Sequence, residues 1–354
     1  LALYKRALDE VVLDRLRYIT EHDKNFSPVT GRFHVLKDST SWNGYWHGSQ
    51  GNFRMPRVVS VPMLVRNLLP YLATKIIWAG QGGIEPVGGL LDEDQNPEVR
   101  FVFSPRLLSL VQPVSNAANQ GRGFVTNKSF AESHNDAGPW ERLQVLSSDS
   151  LSSDLITYLD FGVTALILRL LAKHSFPVEF PHFPEEPSLE EQYKILKDCS
   201  AINHDPSLAA KLDLAGGEFL TALELQKKYL KLLRESAEVL TLTPQDERVL
   251  KGFEYILKKL ESSPLVLSDR CECWLLYKLV LAKLARHGAS WENCHERVVQ
   301  HKGKTLTLSR YLVMFGYQAT ALDQEWGIWP RLVSTGRAKA LFTKDMVMRA
   351  KSHP

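Results

Sequence analysis

The chain is poor in cysteine, in charge of one sign and in long apolar runs. Its 354 residues include only 4 cysteines, too few and too scattered for a disulfide framework, so a reducing compartment such as the cytoplasm is expected. The 43 basic and 40 acidic residues nearly cancel, which gives no electrostatic reason to expect a nucleic acid or a membrane surface as partner. The longest apolar run, 161-FGVTALILRLL-171, carries Arg169 and is shorter than the roughly 18 to 20 residues of a membrane span.

The few cysteines do not predict a zinc site. The sequence offers one possible set of four zinc ligands: Cys271, Cys273, Cys294 and His295. However, the pattern of 268–286 predicts a helix capped by Ser268 or Asp269. Side chains two positions apart on a helix point about 200° apart, so the first two cysteines are poorly placed to share one ion.

The apolar patterns predict an α+β fold. Alternation before residue 149 indicates short strands of a largely antiparallel sheet at 32–37, 99–104, 122–126 and 141–147. Helical periodicity indicates long helices at 1–19, 152–173, 188–199, 221–238, 244–261 and 268–286. Thr221, with Glu224 three residues later, has the capping-box pattern of a helix start. Strands followed by helices are typical of the α+β class.

The segment 131-AESHND-136 places Glu132, His134 and Asp136 two residues apart. In an extended segment, side chains at this spacing lie on one side. Carboxylates with an imidazole between them suit a metal or phosphate site, and the same pattern is also typical of a solvated edge strand. The residues alone leave both interpretations open.

Several motifs occur in an order that points to a known family. Residues 140–171 run from Trp140 through Arg142-Leu143 and Asp149 into a helix with Gly162 and 164-TAL-166. Further motifs are 45-YWHGSQGNF-53, 104-SPR-106, 131-AESHND-136, 212-LDLAGG-217 and 222-ALELQKKYL-230. Together they resemble, in the same order, motifs of the Pup ligase and Pup deamidase/depupylase family. The likeness covers nearly the whole chain.

The resemblance implies a glutamine-synthetase-like fold, in which a curved antiparallel sheet forms a cradle packed against helices. Residues 1–149 would be part of the sheet-containing catalytic domain, and residues 150–354 the helical portion of the same large domain. The family's first strands, with its metal-binding glutamates and catalytic aspartate, would precede Leu1. Its small C-terminal domain would follow Pro354. The catalytic residues are therefore unknown from this sequence.

The resemblance also implies ATP and Mg²⁺ as cofactors and the small protein modifier Pup as partner. Such enzymes join the C-terminal Glu or Gln side chain of Pup to a lysine of a protein substrate, or hydrolyse that isopeptide bond. An acyl phosphate suits the chemistry because a carboxylate is a poor electrophile until it is phosphorylated.

The implied site residues fall into two groups. The metal-binding group is Glu132, His134 and Asp136. The ATP-binding or phosphate-binding group is Asn52, Arg106, Arg122 and Lys128. Arg106 and Arg122 suit phosphate or a Pup carboxylate, because guanidinium groups bind both, and they are equally interpretable as surface charges on strands.

The chain departs from the family pattern at three motifs, one of which is Lys37-Asp38-Ser39 in place of the family's Lys-Asn-Asn. Gln50-Gly51 stands where the family has His-Glu, which replaces a metal ligand and a carboxylate. Phe130 stands where the family has an arginine, and Lys128 offers a positive charge two residues upstream. Three interpretations follow: an active ligase or depupylase, a homologue that binds nucleotide or a partner with impaired catalysis, and an unrelated α+β protein.

Overall fold

The computed structural model describes residues 1–22, 35–37, 39–40, 42, 48–88, 96–115, 121–128 and 140–352. The strands are β1 (Ser49–Pro56), β2 (Gly83–Pro86), β3 (Val99–Val102), β4 (Gln112–Ser115), β5 (Gly123–Lys128), β6 (Trp140–Ser148), β7 (Lys211–Leu214), β8 (Glu218–Thr221), β9 (Val298–His301) and β10 (Lys304–Thr307). The helices are α1 (Ala2–His22), α2 (Val61–Asn67), α3 (Leu69–Thr74), α4 (Ile76–Ala79), α5 (Asp154–Ala172), α6 (Leu189–Asn203), α7 (Ala222–Glu235), α8 (Ala237–Leu240), α9 (Pro244–Ser262), α10 (Glu272–Arg286), α11 (Leu308–Thr320), α12 (Ile328–Ser334) and α13 (Lys344–Ser352).

The main sheet has four strands in the order β1-β6-β5-β4. β6 runs antiparallel to both β1 and β5, as the sequence predicts for a largely antiparallel sheet. β4 runs parallel to β5. Side-chain alternation is the same in both directions, so the sequence gives no sign of this parallel pair.

One face of the main sheet packs on α5. Leu143 and Val145 of β6 are almost fully buried there, as is Met55 of β1. The ring centroids of Phe53 and Phe161 lie 6.0 Å apart across the same contact. Because apolar burial is worth about 1.5–3 kcal/mol per large side chain, this face holds the sheet against the helices.

Helix α5 is the central helix of the core. Ser153 caps it by accepting a hydrogen bond from the Ile156 N–H at 3.3 Å. With 19 residues and high hydropathy, α5 is long and apolar enough to cross a membrane by length and composition alone. The shorter apolar run 161–171 does not indicate this length. Most of its apolar window lies inside the protein core, as is typical of a core helix in a folded domain.

The predicted helices are present, but the predicted start of one of them is wrong. α10 begins at Glu272, while Ser268 and Asp269 belong to a preceding 3₁₀ turn. The buried Glu272 carboxylate accepts hydrogen bonds from the backbone N–H groups of Ser152 and Ser153 at 2.9–3.0 Å. This tertiary contact, between residues far apart in the sequence, fixes where α10 begins.

The predicted strand at 32–37 lies mostly outside the described residues. Within it, Leu36 forms a single antiparallel bridge with Ala321. The predicted capping box of α7 is confirmed. Thr221 accepts from the Glu224 N–H at 3.2 Å, and Glu224 accepts from the Thr221 N–H at 2.8 Å.

Gly162 lets α5 and α9 approach closely. A Cβ atom at this position would lie 2.6 and 2.8 Å from the two Cγ atoms of Val249. We expect Gly162→Ala to lower the free energy of unfolding by about 1–2 kcal/mol, because the overlap outweighs the gain in helix propensity. In a Val249→Ala background the same substitution should cost little. Urea unfolding of the four proteins checks this, and a Gly162→Ala protein as stable as its parent contradicts it.

Lys5 of α1 makes stability depend on pH. Its Nζ donates to the Leu151 carbonyl at 2.5 Å, and Lys37 Nζ donates to the same oxygen at 2.6 Å. Burial, and then the Lys37 charge, lower the pKa of Lys5 from 10.5 to about 7. Since the folded pKa lies below the unfolded one, the unfolded chain binds more protons between them, and stability rises with pH through this window.

We therefore expect Lys5→Met to raise the free energy of unfolding at pH 7 and to raise it less at pH 9. Urea unfolding at both pH values measures the difference. A gain that is the same or larger at pH 9 contradicts the expectation.

Candidate functional site

The second face of the main sheet carries a cluster of polar side chains around Gln144, beside the buried apolar Phe124 and Leu146. Gln144 alternates with the buried Leu143 and Val145 on β6, so its side chain lies on the face away from α5. The strand register aligns it with Asn52 of β1 and Thr126 of β5. Residues directly opposite in a sheet share a face, so these positions form one polar row across three strands.

A row of cations lies two positions further along the same strands. Arg142 pairs with Arg54 on one side and with Lys128 on the other. Lys128 enters by its backbone register, because its side chain is not among those described. Like charges directly opposite each other destabilise a sheet. A bound anion would reduce such repulsion, so the alignment of these three positions favours a negatively charged ligand.

The cation Arg142 is only partly exposed. Its Nε has no hydrogen-bond partner among the described residues. A buried guanidinium N–H that lacks an acceptor costs free energy, and an anionic oxygen is its best acceptor. The Arg142 Nε that lacks an acceptor and the alignment of the three cationic positions both favour a bound anion.

Neutral amides fill the polar row. Gln144, 6% exposed, donates from Nε2 to Gln50 Oε1 at 2.7 Å. The exposed Asn52 donates from Nδ2 to the Gln50 carbonyl at 3.3 Å. Thr126 and Ser115 share a hydroxyl hydrogen bond of 2.9 Å at the other side of the sheet. Of these groups, Asn52 is exposed, whereas Gln144, Thr126 and Ser115 are buried, so they make the face polar without adding charge.

A buried arginine lies further along β6. Arg106, on the 3₁₀ turn Pro105–Ser109, donates from Nε to the Leu146 carbonyl at 2.8 Å. Burial, and then the charge of Arg122, lower the pKa of Arg106 to about 10. Interpreting Arg106 as a surface charge on a strand is therefore wrong, since it is 2% exposed and lies on a turn.

Asp149 holds the Arg106 turn in place. Its Oδ1 accepts from the Arg106 backbone N–H at 3.1 Å, and its Oδ2 accepts from the Gln81 backbone N–H at 3.0 Å. Burial raises the pKa of Asp149. Leu146 lies four positions after Arg142 on β6, which is about 13 Å along a strand. The sheet therefore carries two cationic regions, one near each end.

The described part of the polar face does not fit Mg²⁺. This ion prefers carboxylate oxygens, and the described positions of the face supply amides, hydroxyls and cations. Among the described residues, there is no group of three His, Cys, Asp or Glu side chains that could hold a metal. The predicted ligands Glu132, His134 and Asp136 lie outside the described residues and stay a prediction.

The family model for Pup-ligase proteins matches residues 1–354. The chain belongs to the Pup-ligase family. It is 26% identical over 353 residues to a Pup deamidase/depupylase of Mycobacterium tuberculosis (strain H37Rv), covering 98% of this chain and 64% of that protein. It is 29% identical over 253 residues to a Pup–protein ligase of Jonesia denitrificans, covering 71% of this chain and 51% of that protein.

Two solved structures of this family have the same fold. The complex between Pup and its ligase PafA matches with a TM-score of 0.77 and 18% identity, over 99% of this chain and 65% of that chain. The ligase PafA in complex with ADP matches with a TM-score of 0.76 and 19% identity, over 98% and 69%. The predicted fold class is confirmed. The chain spans just under two thirds of the length of the first relative described above.

The sequence does not reveal part of the candidate site that the register assembles. Motifs and side-chain chemistry point to Arg106, Arg122, Asn52 and Lys128, but they assign no role to Arg54, Arg142 or Gln144. The sequence does contain one indication, because each of these residues lies two positions from another polar residue on the same strand. That spacing becomes informative only when the pairing of β1, β6 and β5 is known.

Proposed function

We propose that this Pup-ligase family protein binds ATP on the polar face of the main sheet and acts on the C-terminal Glu or Gln side chain of Pup. The observation that carries the proposal is the row of Arg54, Arg142 and Lys128 across three adjacent strands. A triphosphate supplies the negative charge that relieves repulsion within this row.

The chemistry follows from what the two cationic regions bind. Guanidinium and ammonium groups hold the phosphates and stabilise charge that develops on them during transfer to a carboxylate. Arg106 donates to the Leu146 carbonyl about 13 Å from Arg142 along β6, and the partly exposed Arg122, whose charge acts on Arg106, suits a second anion such as a carboxylate. Two cationic regions on one sheet would hold a phosphoryl donor and its acceptor on the same part of the protein.

The amine of a protein lysine would displace phosphate from the acyl phosphate and form an isopeptide bond with Pup, and the opposite activity would hydrolyse that bond with water. Curated relatives carry both names, Pup ligase and Pup deamidase/depupylase, so the family supports either direction. In this proposal, Glu132, His134 and Asp136 would bind Mg²⁺, which would neutralise part of the charge of the triphosphate. The scarcity of cysteine favours a cytoplasmic location.

A second candidate function is nucleotide or partner binding with impaired catalysis. Gln50-Gly51 replaces the expected His-Glu, and Gln50 Oε1 is occupied by the Gln144 amide at 2.7 Å. A neutral amide that is already hydrogen-bonded is a weak ligand for a divalent cation. This arrangement retains phosphate binding and weakens metal-dependent catalysis.

The test incubates the purified protein with ATP, Mg²⁺, Pup ending in glutamate and a lysine-bearing protein. A covalent conjugate is followed by its mass, and a preformed conjugate is followed for release of Pup. ATP-dependent formation or hydrolysis supports the first candidate. ATP binding with neither reaction supports the second, and the absence of ATP binding contradicts both.

A further inference from the structure

Helix α6 presents an apolar stripe to solvent. Leu189 is 84% exposed, and Tyr193, one turn later, is 71% exposed, so the two form a patch on the helix. Leu196 and Ser200, both partly buried, continue the same stripe. The spacings of four, three and four residues are those of the a and d positions of a heptad, which form the contact face of paired helices. The stripe is therefore suited to a second helix.

Other faces of α6 are occupied within the protein. Ile195, Cys199 and Ile202 are buried in the core. Asp198 accepts a hydrogen bond from the Asp213 N–H of β7 at 3.0 Å. These contacts fix the rotation of α6 about its axis, so the stripe is held on the solvent side before any partner binds.

A pocket of about 110 Å³ lies beside the stripe, between α6 and the 3₁₀ turn Pro105–Ser109. Leu196 and Ser200 line it from α6, and Leu107 and Leu108 line it from the turn. An apolar cavity of about 150 Å³ in another protein holds benzene, so this pocket has room for one aliphatic side chain. An exposed leucine and an apolar pocket on one helix make that surface self-complementary, as a twofold contact between identical chains requires.

Two opposite charges flank the stripe. Glu190 and Lys197 are both exposed and lie seven residues apart, which places them on the same flank of the helix. No residue three or four positions from Lys197 is acidic, so α6 does not supply it with a carboxylate at those spacings. When two such helices face each other in opposite directions, equal flanks meet. Glu190 of each helix then lies opposite Lys197 of the other.

We propose that α6 pairs in an antiparallel arrangement with α6 of a second copy of this chain, across a twofold axis. Tyr193 packs against Leu196 of the other copy, and Leu189 packs over Ser200 and fills the pocket beside it. Glu190 and Lys197 form two equivalent ion pairs between the copies. One helix pair makes a small interface, so we expect a dissociation constant on the order of 10–100 µM.

Sedimentation velocity of the parent protein and its variants, over a range of protein concentrations, measures this association. Leu189→Asp changes an exposed residue and should weaken the association by about a hundredfold, because it places a charge in the apolar pocket. Val298→Asp, at an exposed position of β9, is the matched control and should leave the association unchanged. A parent that stays monomeric well above the expected dissociation constant, or a Leu189→Asp protein that associates like its parent, overturns the proposal.

Charge reversal tests the direction of pairing. Glu190→Lys alone and Lys197→Glu alone should each weaken the association about tenfold, because each places like charges opposite one another at two equivalent positions. The double variant Glu190→Lys, Lys197→Glu restores both ion pairs with reversed sign and should associate almost as tightly as the parent. A double variant that associates no better than the single variants overturns the antiparallel pairing.

Discussion

Replacing Arg142 by alanine should weaken ATP binding by about tenfold to a hundredfold. A hydrogen bond to a charged group contributes about 1.5–3 kcal/mol, and 1.4 kcal/mol corresponds to a tenfold change in affinity. The same change removes the central charge of the row formed with Arg54 and Lys128. The free energy of unfolding without ligand should therefore stay constant or rise slightly. Calorimetric titration with ATP and urea unfolding measure the two effects.

Two variants serve as controls for this prediction. Arg142→Lys keeps the charge and should lose less affinity than alanine, although it loses the forked donor geometry. Arg286→Ala removes an exposed arginine at the end of α10 and should leave ATP binding unchanged. The account fails if Arg142→Ala binds ATP as tightly as the parent, or if it loses affinity only because the protein is unfolded.

Replacing Lys75 by methionine should lower the free energy of unfolding by about 3–5 kcal/mol. Lys75 is 2% exposed, and its Nζ lies 2.5 Å from Asp160 Oδ1 and 2.8 Å from Ser148 Oγ. Removing one partner of a buried ion pair leaves an uncompensated charge in the core. Urea unfolding measures the loss.

The double variant Lys75→Met, Asp160→Leu shows whether the uncompensated charge is the cause. A pair replaced by apolar side chains of similar size loses much less stability than a broken pair. The double variant should therefore be more stable than Lys75→Met alone. A double variant that is less stable than Lys75→Met would contradict this explanation.

The elements predicted best from sequence are those fixed by local contacts. Thr221 and Glu224 lie three residues apart and cap α7 by themselves, so the pattern identifies the helix start. The start of α10 depends on Glu272 reaching the N–H groups of Ser152 and Ser153, about 120 residues away in the sequence. No local pattern encodes such a contact. The direction of β4 relative to β5 cannot be predicted from the pattern either, because side chains alternate in the same way in parallel and antiparallel strands.

In the candidate site, too, some residues are indicated by sequence motifs and others only by the tertiary structure. Motif order in the sequence identifies the family and suggests Arg106, whose burial and hydrogen bond to the Leu146 carbonyl depend on tertiary structure. The row of Arg54 and Arg142 joins strands about 90 residues apart in the sequence, and its alignment follows from register alone. A shift of one residue would move every side chain to the other face. The sequence therefore indicates the chemistry of the site but not the residues that assemble it.

The most direct test of nucleotide binding on the polar face is a crystal structure of the protein with a non-hydrolysable ATP analogue. We predict that phosphate oxygens lie within about 3 Å of the guanidinium groups of Arg54 and Arg142. Phosphates bound elsewhere on the protein, with both guanidinium groups directed away from them, would contradict the account.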